Sequence, residues 1–403
     1  MRGLRSRLPG AWPVRKLHFA AGRYRNRAAQ AGRPAGVNLI GLAFAESGIG
    51  EHLRATAGAL RETGVPFSVR DYGKTLHRQA DTTLRELVDP GCPHNTNLFC
   101  LNNDGVLDLW TSRRGLFRRR YNVGYGFWEL RDYPPSWLYA MNVLDEIWAP
   151  SRHVQEAISR KASVPVVHMP MAVDFPLPRR ASRGDFDVPE DAFVFLCSFD
   201  FSSRIQRKNP MAVVAAFRQA FPPERREVML ILKSKYVAAI EQQVREVEQV
   251  TELVREDPRV RLVTATFTKE RTLDLIDCCD VYVSLHRAEG FGLGLAEAMR
   301  MGKATIATAY SGNMDFMTPE NSCLVGYTLV EARRGESYNF EQSSVWADAD
   351  VEQAARHMAK LAADPDLARR LGAAAQRDVA ERHSPRTIGE RYRERLRLLG
   401  LLE

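Results

Sequence analysis

The sequence predicts an α/β fold: two doubly wound domains, each a parallel sheet covered by helices. Short apolar, β-branched runs alternate with helical patterns along most of the chain, which is the signature of βαβ units. At 403 residues the chain exceeds what one ordinary core holds. A proline-punctuated stretch at 163–174, followed by a polar, arginine-rich one at 175–187, separates two such alternations. The expected division is a basic extension over 1–35, a first domain over 36–178, a second over 179–385 and a closing helical segment over 386–403.

The extension carries nine Lys or Arg and no acid, so the net charge of +8 resides there and the remainder is about neutral. Arg15, Lys16 and nearby prolines deny it the continuous apolar core of a signal peptide. Cations interleaved with Leu4, Leu8, Trp12 and Phe19 suit an anionic membrane surface; a solvated extension is the other reading. A second cluster (Arg113, Arg114, Arg118, Arg119, Arg120) suits the same surface or an anionic acceptor. Elsewhere, 45% apolar and 26% charged residues describe a globular protein, and no apolar run is long enough to span a bilayer. The six cysteines lack metal-ligand spacing and read as reduced, buried thiols. A cytoplasmic protein, peripheral on the inner face of the plasma membrane if the extension binds lipid, is the expectation. Nothing beyond these basic clusters points to nucleic acid.

Residues 36–45 (GVNLIGLAFA) read as a buried strand, 46–51 as a glycine turn and 52–60 as a helix. Ligands bind at the carboxyl ends of such strands, which makes Gly48, Gly50 and Glu51 candidates. Strands follow at 67–71, 97–101 and 122–127, the last running into Trp128 and Glu129. The second alternation opens with a strand at 193–198 and a polar segment holding Ser202, Ser203, Arg204, Arg207 and Lys208 before a helix. Cations there oppose the helix dipole, so a bound anion is the better reason for them. Further strands are expected at 228–232, 260–263 and 305–307. Ser311, Gly312 and Asn313 begin a turn from which Gly312 and Asn313 reach a bound phosphate or sugar, or merely shape the turn. Asp348 and Asp350 have the spacing of a metal-binding D-x-D, but they precede a helical pattern, so Asp348 or Asp350 reads as its cap. Residues 364–376 and 385–399 read as helices.

Residues 281–303 (VYVSLHRAEGFGLGLAEAMRMGK) are the most informative stretch. An apolar strand gives way to a loop with Gly290, Gly292 and Gly294, then to a helix over 296–301. Such a junction presents backbone amides and the positive end of a helix, and its glycines admit a phosphate. Glu289 and Glu297 flank it eight positions apart, so that an anion between two acids that seek hydroxyls suits a sugar nucleotide.

This E-x7-E spacing with its internal GFG resembles the signature of retaining GT-B glycosyltransferases of family 4, and the resemblance runs from about residue 37 to 392. It implies two Rossmann-like domains facing across a cleft, with the last helix crossing back to the first. It implies transfer of a sugar from a nucleoside diphosphate donor to a saccharide or lipid-linked acceptor, with retention, in synthesis of a cell-surface polysaccharide or glycolipid, and without metal or cofactor. By that resemblance Glu289 contacts the donor sugar, Glu297 holds the ribose, and the amides of Phe291 and Gly292 meet the diphosphate, Gly290 lying in the same loop. Lys208 matches the family's diphosphate lysine. The usual arginine position is held by Ser202 or Ser203, so Arg204 or Arg207 substitutes. Thr266 falls where relatives hold the nucleobase, and Gly50 in a loop lining the cleft. Where many relatives carry a histidine near the sugar, this chain has Trp128, suited to stacking on a sugar face, and Glu129, suited to binding an acceptor hydroxyl or acting as base. These departures keep open a GT-B-shaped epimerase or phosphorylase and a noncatalytic, membrane-associated scaffold.

Overall fold

The computed structural model describes residues 32–177, 179, 181–235, 240–332 and 344–403. The basic extension, apart from its last residues, lies outside them. Strands β1 (Val37–Gly41), β2 (Phe67–Asp71), β3 (Thr96–Cys100), β4 (Tyr121–Tyr125), β5 (Glu146–Ala149) and β6 (Val166–His168) form one sheet in the order β2-β1-β3-β4-β5-β6. Every pairing in it is parallel. Helices α1 (Gly48–Glu62), α2 (Asn103–Ser112) and α3 (Arg152–Ser159) connect these strands. Both faces are buried: Ile40, Phe99 and Ile147 pack on one side, Leu39, Leu98, Val123 and Trp148 on the other. Asn38, Asn97 and Asn122 lie in register across three central strands. Each amide donates to the next at 2.9 Å, so these buried polar groups satisfy one another.

The second sheet runs β12-β11-β10-β7-β8-β9. Its strands are β7 (Phe193–Ser198), β8 (Val228–Lys233), β9 (Val260–Val263), β10 (Val281–Ser284), β11 (Ala304–Thr308) and β12 (Cys323–Val325), again all parallel. Between them lie α4 (Ile205–Lys208), α5 (Pro210–Ala220), α6 (Glu241–Arg255), α7 (Lys269–Asp277) and α8 (Leu293–Arg300). Chain order and spatial order disagree in each sheet where β1 and β7 sit inside, which creates the crevices that α/β sheets use for ligands. An antiparallel hairpin, β13 (Tyr327–Ala332) with β14 (Ser344–Ala349), follows, and Trp346 of β14 packs into the core of the first domain.

Helices α9 (Val351–Ala363), α10 (Pro365–Arg382) and α11 (Pro385–Leu398) close the chain. The last returns to the first domain. Tyr392 stacks on Trp148 at 5.1 Å, and a Cβ on Gly389 would lie 2.1 Å from Ala59 O, so α11 and α1 touch through backbone. Arg395 pairs with the fully buried Glu146, whose other carboxylate contact is Trp148 Nε1 at 2.6 Å.

Several elements differ from the sequence expectation. Helix α1 starts four residues early because Ser47 Oγ accepts from Gly50 N, drawing Gly48, Gly50 and Glu51 into its first turn. Strand β5 hides behind its acids, since the cation that pairs with Glu146 is Arg395, from the far end of the chain. The helix cap expected from Asp348 or Asp350 is Asp350, which accepts from Gln353 N at the start of α9, while Asp348 lies on β14 and pairs with Arg287. No helix among the described residues is long and apolar enough to cross a membrane.

Candidate functional site

The site forms where the carboxyl ends of both sheets face each other. Strand β10 ends at Ser284, and the chain turns through Glu289 and Gly290 into α8, with Gly292 at the helix start at φ 95°. A side chain there would be strained, and glycine leaves the approach to the first amides of α8 open. Phe291 anchors this loop from beneath: it is 2% exposed and packs against Phe316 and His383. Ser311 accepts from Glu289 N at 2.8 Å and Gly312 N donates to Glu289 O at 3.0 Å. A Cβ on Gly312 would stand 2.4 Å from Gly290 O. The loop is therefore held by close contacts that leave no room for a side chain at Gly312.

Across the cleft, Ser151 donates to Gly290 O at 2.6 Å and Arg152 N donates to Asp315 at 2.9 Å. A Cβ on Gly290 would meet Trp128 O at 3.2 Å. The glycine-rich loop thus abuts the end of β4 in the other domain.

Glu289 is 12% exposed by its side chain, with Lys208 Nζ at 2.5 Å and Arg207 at 3.5 Å. Burial alone would raise its carboxyl, but Lys208, Arg207 and His286 hold it down to about 2. Arg207 is nearly enclosed: it donates to Ala288 O at 2.7 Å and lies 3.6 Å from Glu129. One guanidinium therefore joins an acid from each domain. Left-handed backbone at Arg204 (φ 62°) and Asn209 (φ 53°) brackets the single turn of α4 that presents both cations. Strain of this kind costs about 1–3 kcal/mol and persists where the surroundings impose it.

Glu297, one turn inside α8 and 6% exposed, forms a short ion pair with Lys269. Lys269 also lies 3.6 Å from Glu51 of the first domain. Sequence reasoning did not single out Lys269, although a lysine in the first turn of a helix works against the dipole and is a legible signal. Nor did it find His286, fully buried, its Nδ1 meeting Ser284 Oγ at 3.0 Å and its Nε2 Asn313 Oδ1 at 3.1 Å. Burial keeps that imidazole below its ordinary value, hence neutral at pH 7.

Other expected residues stand elsewhere. Arg204 turns to Gln242 at 2.6 Å, which leaves Arg207 as the cation beside Lys208 on Glu289. Trp128 is 1% exposed, edge-on to Tyr133 and Trp137, so it builds the core instead of a sugar platform. The Asn313 side chain is spent on His286 and Thr308 O; it braces the loop from inside. Gly50 packs under the 42–45 turn, where a Cβ would be 2.2 Å from Ala45 O, and its neighbour Glu51 is the residue that reaches the second domain. Thr266 is exposed on the loop after β9, next to Ala265, whose carbonyl accepts from Lys233 Nζ. The Ser202 side chain lies outside the described residues.

Residues 201–378 match the family model of glycosyl transferases group 1. The matched segment runs from the loop after β7 into α10. It contains Lys208, Glu289, Gly292 and Glu297. No curated protein matches the chain by sequence. Among solved structures, the chain resembles HepE of Anabaena in complex with UDP-glucose, at TM-score 0.67 and 17% identity, over 91% of this chain and 100% of that one. It resembles sucrose-phosphate synthase of Thermosynechococcus elongatus at TM-score 0.67 and 16% identity, over 91% and 99%. A glycosyltransferase of Rickettsia africae is similar at TM-score 0.63 and 14% identity, over 91% and 99%. Matches spanning both halves of the chain, together with its two parallel six-stranded sheets, establish a GT-B fold.

Proposed function

We propose that the protein transfers a sugar from a nucleoside diphosphate donor to a saccharide or lipid-linked acceptor, with retention of configuration. The observation that carries this reading is Glu289 held by Lys208 and Arg207 beside the glycine-opened start of α8. Two cations and a helix N-terminus converge where a diphosphate develops charge as its bond to the sugar breaks. Glu289, ionised by the same cations, is an acceptor for donor-sugar hydroxyls, and Glu297 one for the ribose. Glu129 stands on the first-domain side of Arg207, where it fixes that guanidinium and borders the acceptor space. Because the groups come from both domains, closure aligns donor with acceptor and excludes water. The transferase match over 201–378 and the fold shared with HepE, which binds UDP-glucose, support the reading.

The acceptor class, a role in cell-surface polysaccharide or glycolipid synthesis, and contact of residues 1–35 with an anionic leaflet belong to the same proposal. Thermal unfolding of the full chain with UDP-, GDP- and dTDP-sugars tests it. Stabilisation by one of these, followed by transfer to give the donor's own anomer by NMR, is expected. No stabilisation by any of them would favour the noncatalytic scaffold.

A further inference from the structure

Lys269 opens α7, where a cation opposes the helix dipole, and Thr268 already caps that helix through Arg271 N at 3.3 Å. Helix formation gives no reason for lysine here. Its ammonium instead meets carboxylates from two domains: Glu297 of α8 in direct contact, and Glu51 of α1 at 3.6 Å. Glu51 is held in turn by Arg54 at 3.1 Å, and Arg54 also reaches Asp81 at 3.2 Å. Tyr282 faces Glu297 from β10. A second tie leaves the same turn of the first domain, with Lys235 Nζ donating to Glu46 O at 2.7 Å.

We propose that Lys269 is a positioning residue that makes donor capture and cleft closure one event: it aims Glu297 at the ribose and ties it, through Glu51, to the first domain. This rests on the donor reading above. The ion pair engages Oε1 of Glu297, so the carboxylate can turn its other oxygen to a hydroxyl without releasing the bridge. Burial pushes the Glu297 carboxyl up, Lys269 opposes that rise, and Glu51 adds to it. Removing Lys269 therefore moves Glu297 further up, and removing the charge of Glu51 moves it down. Since the ionised form is the one that accepts from two hydroxyls, the acid limb of nucleotide binding follows Glu297 in both directions.

The test is calorimetric titration of the wild type, Lys269→Met, Lys269→Arg, Glu51→Gln and Glu297→Ala with UDP, GDP, ADP and dTDP, from about pH 5.5 to 8.5. With whichever nucleotide the wild type binds, Lys269→Met should bind about tenfold or more weakly near pH 6, as for loss of a charged hydrogen bond. Its deficit should shrink at high pH. Lys269→Arg should restore most of the affinity, and Glu51→Gln should move the acid limb to lower pH. A merely structural lysine would lower thermal stability and leave the acid limb in place. Coincident limbs in Lys269→Met, Glu51→Gln and wild type, with Glu297→Ala still weakened, overturn the role of Lys269 and leave the donor site standing. Wild-type affinity in Glu297→Ala, or no binding of any nucleotide by the wild type, overturns the donor site and this inference with it.

Discussion

Replacing Lys208 with methionine separates the task its ammonium performs in the structure, holding Glu289, from the one proposed for it, meeting the diphosphate. The drop of the Glu289 carboxyl from 4.5 to about 2 is worth about 3 kcal/mol at about 1.36 kcal/mol per pH unit, supplied chiefly by Lys208 and Arg207 against the opposing effect of burial. With Arg207 still at 3.5 Å, loss of Lys208 should forfeit about 2 kcal/mol of stability near pH 7. For a domain of this size that is a fall of about 4–8 °C in Tm. A carboxylate whose folded value is depressed stabilises above its unfolded value, and that stabilisation is lost as pH falls through the folded one. The Tm gap between wild type and K208M should thus be full above about pH 5 and close progressively between about pH 4.5 and 2. Turnover should suffer more than stability: removal of one preorganised group that meets developing charge costs about 10²–10³ in kcat, with a smaller change in donor KM. Steady-state kinetics with the donor identified by thermal shift, alongside calorimetric unfolding, reads both. Wild-type kcat in a folded K208M would refute the catalytic assignment, and a Tm gap independent of pH would refute the electrostatic one.

Three further substitutions probe the rest of the site and its frame. Glu297→Ala should raise donor KM at least about tenfold with a modest effect on kcat, since a ground-state ribose contact is uniform binding; unchanged KM counts against it. Arg207→Met should lower kcat and cost about 3 kcal/mol or more of stability, because it removes the buried guanidinium that lies between Glu129 and Glu289, whereas Arg204→Ala, which releases Gln242, should change either little; the reverse ranking in paired assays would contradict the placement of these arginines. Arg395→Met should cost about 3–5 kcal/mol by leaving Glu146 buried without its cation, measured as a shift in urea midpoint, and an unchanged midpoint would mean that α11 is not tied to the first sheet in this way.

Much of this was legible locally. Strands at 67–71, 193–198 and 260–263 have the expected bounds because each is an apolar run flanked by breakers, and Glu289, Gly292 and Glu297 declare themselves by spacing around one strand-to-helix turn. What escaped depends on partners distant in sequence. Strand β5 carries an acid that only Arg395 excuses, and Trp128 looks like a sugar platform until Tyr133 and Trp137 enclose it. The choice between Arg204 and Arg207 turns on left-handed backbone at Arg204, which a non-glycine residue does not advertise. Lys269 gave a signal in its dipole-opposing position, yet its meaning required Glu51 and Glu297 to meet across the cleft.

Diffraction from crystals soaked with UDP, or with whichever nucleoside diphosphate stabilises the protein most, tests the central claim most directly. The account predicts diphosphate density at the amides of Phe291 and Gly292, within hydrogen-bonding reach of Lys208, and the ribose on Glu297. A nucleotide bound away from the start of α8, or Glu297 left on Lys269 alone with the ribose elsewhere, would contradict it.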